Sequence, residues 1–481
     1  MKKCSAVLVF LLKRSDIRRA GYRRGRIQTG PHPYLNSDLD PLLGVNLPAR
    51  RVIIRTIMFN RRVIDPLCYR QMAGRAGRKG VDTEGESILV CKPNEMEKAK
   101  ALISSDLPPV QSCLIQREGD ELSNSMKRAI LEVIASGVAK SPTDVQRYSS
   151  STLLAASLSS EDGDNPDGKA TSSSSIDACI SFLREQEFIR LEKGEDGGET
   201  FLPTQLGSAT LASALSPHEA LAVFTELQRA RKSFVLENEL HILYQVTPIY
   251  DNIKPDWYQF LCFWETLSTD KRRVAELVGV EERFLIRAAK GNIPTHTARQ
   301  HHLLSVHRRF HTALILEELV NEAPLNQVAR KYGCSKGQLQ SLQQSASTFA
   351  GMVTVFCSKL GWYNLELLLA QFQNRLNFGV QRELVDLVRI SLLNAQRARL
   401  LYNSGLTNPA SVATASPREV ERILRNAVPF KSGRQAVDEK DFEAAERRAA
   451  RCIWASGKKG LTEAEAAELI VMEAKQIVRA D

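Results

Sequence analysis

The sequence predicts a multidomain, mainly α-helical chain with a short α/β segment near its start, on three observations. Its 481 residues are too many for one hydrophobic core, so three or four domains are expected. Beyond residue 112 the apolar residues recur mostly at three- and four-residue spacings, the period of a helix. Before it, two short apolar strands alternate with a helix that opens at a proline, the pattern of an α/β layer. With 43% hydrophobic and 25% charged residues the composition is that of an ordinary soluble protein. No run of 18 apolar, uncharged residues exists, so no membrane partner is expected.

Charge is unevenly spread. Residues 1–80 carry 18 Lys/Arg and 4 Asp/Glu, although the whole chain is only +10. Such asymmetry points to a polyanion, nucleic acid or nucleotide phosphate, or else to a solvated terminal charge run. Nine cysteines stand singly, with no CxxC pair, which argues against a zinc ribbon or redox motif and suits a reduced compartment, nucleus or cytosol. At the start, Lys2 and Lys3 precede an apolar run that stops at Lys13 and Arg14 without a small-residue cleavage site. A basic leader over 1–43 is therefore expected in preference to a signal peptide or a mitochondrial presequence.

From Gly44 the texture changes. Residues 50–55 read as a strand, 66–73 as a short helix with proline at its first turn, and 87–91 as a second strand. Two strands do not complete an α/β domain, so only part of one is expected. Helical periodicity follows over 125–137 and 143–157, then a Ser-, Asp- and Gly-rich stretch, 159–175, expected to be a loop. A third helix over 176–187 and a small hairpin (188–192 with 200–203) complete a winged-helix pattern. The recognition-type helix of such a module either enters DNA or is buried as packing.

Residues 218–379 read as a run of helices, one of them unusual. Between Lys336 and Lys359 no residue is charged, while Leu339, Leu342, Ala346, Phe349, Val353, Phe356 and Leu360 repeat at three- and four-residue spacing. A surface helix would carry charge, and a membrane helix would not carry four glutamines. The fit is a helix central to a bundle, with its neutral polar side toward a channel or partner; the alternative is a buried helix with incidental polar groups. The last hundred residues predict two amphipathic helices around 391–395, a turn at 405–409 and a helix over 417–426. Short helices joined by tight hairpins suggest a helix-hairpin-helix module, which offers backbone N–H groups to phosphates. His301, His302, His307 and His311 cluster with Arg299, Arg308 and Arg309. His307 and His311 stand one turn apart, but no glutamate follows the first as a zinc protease needs, so a basic helix facing DNA or solvent is expected and no metal.

The strongest chemical signal is Gln71-Met72-Ala73-Gly74-Arg75-Ala76-Gly77-Arg78. Two arginines three residues apart on a glycine-rich turn can reach one phosphate group and neutralise charge on a transferred phosphoryl. This octapeptide resembles motif VI of superfamily 2 helicases, and Gly44-Val45-Asn46-Leu47-Pro48-Ala49 resembles motif V. Their pairing, together with SFVLENELHILY, RVAELVGVEERFL, GQLQSLQQSASTFAGM and RELVDLVRISLLNAQRARLLY, resembles the polymerase-theta branch of superfamily 2 repair helicases from about Gly44 to the last residue.

That resemblance implies part of a second RecA-like domain (44–117), a winged helix (118–217), a helical ratchet domain (218–379) and a helix-hairpin-helix domain (380–481). It implies an ATP-dependent helicase translocating on single-stranded DNA in microhomology-mediated end joining of double-strand breaks, in the nucleus, with a DNA polymerase joined in some members. Single-stranded and partly double-stranded DNA would be its partners, and a homo-oligomer is left open. Gln71, Gly74, Arg75 and Arg78 would face ATP and Mg2+, with Arg75 and Arg78 as catalytic fingers. Gly44, Asn46 and Pro48 would couple nucleotide state to the DNA backbone. Gln340, Gln343, Gln344, Ser347 and Thr348 would line the single-strand path, and Asn394 and Arg397 the hairpin contact.

Three departures accompany it. No Walker A loop or DExH box occurs in the sequence, so the nucleotide would be held mainly by a first RecA-like domain outside these residues, and this chain alone is expected to be inactive as an ATPase. The place of a base-stacking aromatic falls near Thr348 and Phe349, and Phe349 belongs to the apolar stripe. The hairpin glycines are replaced by Leu392 and Asn394, of which only Asn tolerates a left-handed backbone. The other readings are a non-catalytic DNA-binding module and a related RNA helicase.

Overall fold

The computed structural model describes residues 4–10, 50–59, 62–77, 84–107, 110, 112, 114, 124–156, 167–193, 199–233, 238–250, 253–291, 293, 295–426, 453 and 460–480. The chain divides into two compact units, Met1–Gln111 and Ser112–Asp481.

In the first unit Gly85–Cys91 is the central strand of a three-stranded parallel sheet, flanked by Cys4–Phe10 and Arg51–Ile54. Its Ile88 and Leu89 are buried, as a central parallel strand covered on both faces requires. The helices Pro66–Ala73 and Met96–Ser104 pack with it around Ile54, Ile57, Ile64, Tyr69, Leu89, Ala99 and Leu102. The strand Cys4–Phe10 falls within the basic leader expected over 1–43. Its apolar residues pair in register, Cys4 opposite Gly85 through Phe10 opposite Cys91. The rest of that leader lies outside the described residues.

The second unit is mainly helical. Helices Asn124–Ala135, Pro142–Ser150 and Asp167–Glu185 precede an antiparallel pair, Ile189–Lys193 with Glu199–Pro203. This is the winged-helix pattern. The third helix starts at Asp167, inside the stretch expected to be a loop; composition alone did not reveal it. Ser141 and Asp144 cap the second helix reciprocally.

The helical domain follows, with Pro217–Lys232, Leu240–Val246, Trp257–Thr266, Thr269–Val278, Glu282–Ala289, Ala298–Val320, Leu325–Lys331, Lys336–Lys359 and Tyr363–Phe378. Ala298–Val320 runs through its core, buried on all sides beyond Leu304 except at Ser305, Arg308 and Glu318. His307, Arg309 and His311 are therefore core residues, which corrects the basic surface expected there; Arg299, His301 and His302 are exposed. His307 Nε2 accepts from the Glu281 N–H at 2.9 Å, and Nδ1 lies 2.7 Å from the Leu303 carbonyl. Arg309 pairs with Glu226 and donates to the carbonyls of Thr247 (2.8 Å) and Gln245 (3.2 Å) over the Tyr244 ring. A buried guanidinium survives because every face of it has a partner.

A second apolar core, including Val380, Leu387, Leu401, Val420, Ile423 and Ile470, gathers the C-terminal part of the second unit. Two 3-10 turns (Arg382–Leu384, Leu387–Arg389) precede helices Ala395–Asn403, Pro409–Thr414, Pro417–Asn426 and Glu463–Ala480. The turns stand where the first of two amphipathic helices around 391–395 was expected.

Candidate nucleic-acid interface

In the first unit, Asp65 caps the helix Pro66–Ala73 by accepting from the Cys68 N–H at 2.9 Å, and that bond holds its carboxyl below the usual range. Gln71 is exposed on the last turn, and Gly74 ends the helix with its N–H on the Arg70 carbonyl. Arg75 follows, half-buried, its N–H on the Met72 carbonyl at 3.2 Å. Gly77 then takes φ +90, a left-handed value that favours glycine. Arg78, Gly44, Asn46 and Pro48 lie outside the described residues.

Sequence reasoning missed Gly85, which fixes this turn. A Cβ there would stand 2.5 Å from the carbonyl carbon and oxygen of Ala76 and 2.7 Å from the Gly77 nitrogen. The glycine lets the arginine turn lie directly on the start of the central strand. Gly85→Ala is expected to cost about 1–3 kcal/mol by overpacking, read as a lower midpoint for the first unit in thermal unfolding. Gly337→Ala, in the second unit and with nothing within 4 Å, should leave the first unit's midpoint unchanged. Equal midpoints for the Gly85 variant and the native chain would refute this role.

In the second unit, Lys336–Lys359 opens with a reciprocal cap between Ser335 and Gln338. Leu339, Leu342, Ala346, Phe349, Val353 and Phe356 are buried along one side, so the expected stripe is real and Phe349 belongs to the core. Gln340, Gln344 and Thr348 are exposed at i, i+4 and i+8, one line on the opposite side. Thr348 returns its hydroxyl to the Gln344 carbonyl at 3.0 Å.

Those three share the exposed line, whereas Ser347 and Gln343 do not lie on it. Ser347, expected on the single-strand path, is buried and donates its hydroxyl to the Gln373 carbonyl at 2.7 Å, stitching this helix to the next. Gln343 is half-buried, its amide facing Gly379, where an added Cβ would lie 2.5 Å from Nε2. That glycine, at φ +63, ends Tyr363–Phe378 and begins the link to the C-terminal domain. The link is pinned from both sides. Arg375 forks onto Glu239 with two 2.7 Å bonds, and Glu322 accepts from the Gln381 N–H (3.1 Å) and from Arg399 (2.6 and 2.8 Å).

Asn394 has an extended backbone (φ −88) and caps Ala395–Asn403, accepting from the Arg397 N–H at 2.9 Å. Leu392 is buried, and Arg397 donates to its carbonyl at 2.9 Å. Burial lowers the Arg397 pKa below its usual value. Ser391 gives its N–H (3.0 Å) and hydroxyl (2.7 Å) to the two carboxylate oxygens of Glu473. A carboxylate of the chain itself thus occupies donors that a phosphate would use. Among the described residues no group of three or more His, Cys, Asp or Glu could hold a metal ion, and no helix is long and apolar enough to cross a membrane.

The second unit thus carries a winged-helix-like module followed by a helical domain with a neutral exposed line. Residues 217–376 match the family described as "DNA_pol_Q helicase like region helical domain", residues 85–190 a helix-turn-helix domain, and 382–462 a domain of unknown function. The chain is strongly homologous to DNA polymerase theta and to the POLQ-like helicases. It is 55% identical to DNA polymerase theta of Mus musculus over 442 residues, covering 91% of this chain and 17% of that protein. Over 389 residues it is 27% identical to "Helicase POLQ-like" of Homo sapiens, covering 79% and 34%. Over 387 residues it is 27% identical to "ATP-dependent DNA helicase Hel308" of Thermoplasma acidophilum, covering 79% and 48%. The chain therefore spans less than half the length of each of these relatives.

Proposed function

We propose that this chain is the C-terminal part of an ATP-dependent DNA helicase of the polymerase theta type, which translocates on single-stranded DNA in microhomology-mediated end joining in the nucleus. Residues 44–117 are read as part of a RecA-like domain, 118–217 as the winged helix, 218–379 as the ratchet domain and 380–481 as the helix-hairpin-helix domain. The observation that carries the reading is the exposed line Gln340, Gln344 and Thr348 on a helix with no charge between Lys336 and Lys359. Neutral amides and hydroxyls hydrogen-bond a passing strand without the deep electrostatic trap that a fixed lysine or arginine sets for each phosphate.

The turn at Arg75 fits a nucleotide phosphate held by a neighbouring domain, because Gly77 and Gly85 fix its backbone close to the sheet. Gln71, Gly74, Arg75 and Arg78 would face ATP and Mg2+, whose hydrolysis supplies the free energy for movement. Gly44, Asn46 and Pro48 remain the proposed coupling residues.

Fluorescence anisotropy with labelled single-stranded DNA tests the reading. Gln344→Glu is expected to weaken binding by about tenfold through repulsion of phosphate, with unchanged thermal stability. Gln343→Glu should instead lower stability, because its amide faces Gly379. Wild-type chain that ignores single-stranded DNA, or binding indifferent to Gln344→Glu, would sink the proposal.

A further inference from the structure

We infer that the outer face of the Pro417–Asn426 helix is a binding surface for the phosphate backbone of duplex DNA, through Arg418, Arg422 and Arg425. This rests on the DNA-binding reading above and adds where the C-terminal domain would touch DNA. Val420, Ile423 and Leu424 bury one side of the helix in the domain core. At 100° per residue, positions 418, 422 and 425 centre on the side directly opposite, and all three arginines are exposed. Seven residues at 1.5 Å rise spread them over about 10 Å, and duplex DNA offers one negative charge per ~1.7 Å of its axis. Glu419 and Glu421 flank this line rather than interrupt it. Arg425 pairs with Glu421 one turn back, and Glu421 is itself half-buried. An i,i+4 pair with so exposed an arginine contributes little, so a phosphate can take the guanidinium over.

Two further observations favour this helix over its neighbours. The Ser391 donors are satisfied by Glu473, and Asn394 and Arg397 are committed to the backbone, so the hairpin has little left to offer an incoming phosphate. On the described part of the third winged-helix helix, Asp177, Arg184 and Glu185 are the exposed charges, a net negative face. Duplex is favoured over single strand because PREVERILRN contains no aromatic side chain on which an unpaired base could stack. Backbone contacts of this kind position a duplex without reading its sequence.

The test uses the full 481-residue chain, a labelled blunt duplex and a labelled single strand, titrated across salt. Arg418→Gln/Arg422→Gln/Arg425→Gln is expected to weaken duplex binding about tenfold or more at low salt. It should also reduce the slope of log affinity against log salt by roughly 2 to 3, at about 0.9 per contact. Single-strand affinity should change by less than about threefold, because the neutral line of Lys336–Lys359 is untouched. Arg382→Gln/Lys475→Gln/Arg479→Gln removes the same charge from other exposed positions of the domain and should leave most of the slope. Equal effects of the two triple variants would overturn the assignment to this helix. Equal losses for duplex and single strand would overturn the duplex assignment. A tenfold gain in duplex affinity from Glu473→Gln, with the arginine variant silent, would move the site to the hairpin. A wild-type chain that binds the single strand but no duplex would overturn this inference alone, whereas one that binds neither would overturn the proposed function itself.

Discussion

In a polypeptide where this chain follows its ATP-binding domain, Arg78→Ala is expected to lower ATP hydrolysis about 10³-fold or more while changing DNA affinity less than about twofold. An arginine finger acts on charge that builds in the transition state, so its loss falls on kcat and not on the binding of a remote polymer. On the proposed reading the two arginines of QMAGRAGR serve one phosphate, so Arg75→Ala should behave alike. Lysine at either position keeps the charge but loses the planar fork, so only partial recovery is expected. Arg70 is the internal control. It is exposed on the helix that leads into this turn and donates to the Ser105 carbonyl at 2.7 Å, so Arg70→Ala should cost a little stability and leave the ATPase rate nearly intact. Steady-state ATPase with and without single-stranded DNA, beside anisotropy, separates the outcomes. Loss of DNA binding in step with ATPase would remove the finger assignment and make this turn a DNA contact or a folding element.

What could be read in the sequence followed the range of the interactions involved. The stripe of Lys336–Lys359 is local information, since Leu339, Leu342, Ala346, Phe349, Val353 and Phe356 declare a buried side by spacing alone. The same spacing could not say which polar residues at its margins remain free. Ser347 is taken by a carbonyl 26 residues away, and Gln343 by the bend at Gly379. The basic reading of His307, Arg309 and His311 failed for the same reason: the partners of Arg309 lie 62 to 83 residues earlier, at Thr247, Gln245 and Glu226. The strand Cys4–Phe10 was not read from the sequence because a parallel edge strand is defined by its neighbour, here 81 residues on at Gly85–Cys91. The turn that follows Pro66–Ala73 is seated by a glycine at position 85, outside the Gln71–Arg78 motif, so no local pattern announces it.

Acidification should unfold the helical domain before other parts of the second unit, because burial holds His241, His307 and His311 neutral. His311 is enclosed by Phe260 (5.1 Å between ring centroids) and Tyr332 (5.5 Å), and its Nδ1 has no hydrogen-bond partner among the described residues. Burial pushes its pKa down to about 4, from an ordinary 6.5, and pushes His241 down to about 4 as well. A histidine whose folded pKa is depressed gains its proton on unfolding. Its stabilisation is therefore complete above pH 6.5 and drains as the pH falls toward 4. For His311 alone the limit is on the order of 3 kcal/mol, with about 2 kcal/mol already lost near pH 5; His241 acts in the same direction. Glu317 opposes them, since burial raises its carboxyl above the usual range and makes the folded state the better proton binder there, although Lys271 at 2.7 Å limits that rise. Glu318 faces the Tyr332 hydroxyl at 3.0 Å and Lys331, so it too is tied to this cluster. Urea unfolding at about pH 7.5 and about pH 5 should show a clear loss of stability for the native chain. His311→Leu removes one titrating group and should flatten that dependence by roughly half, even if its stability at neutral pH is lower. A native chain equally stable at both pH values, or a His311→Leu variant that keeps the full acid sensitivity, would show that the buried imidazole does not set the acid limit.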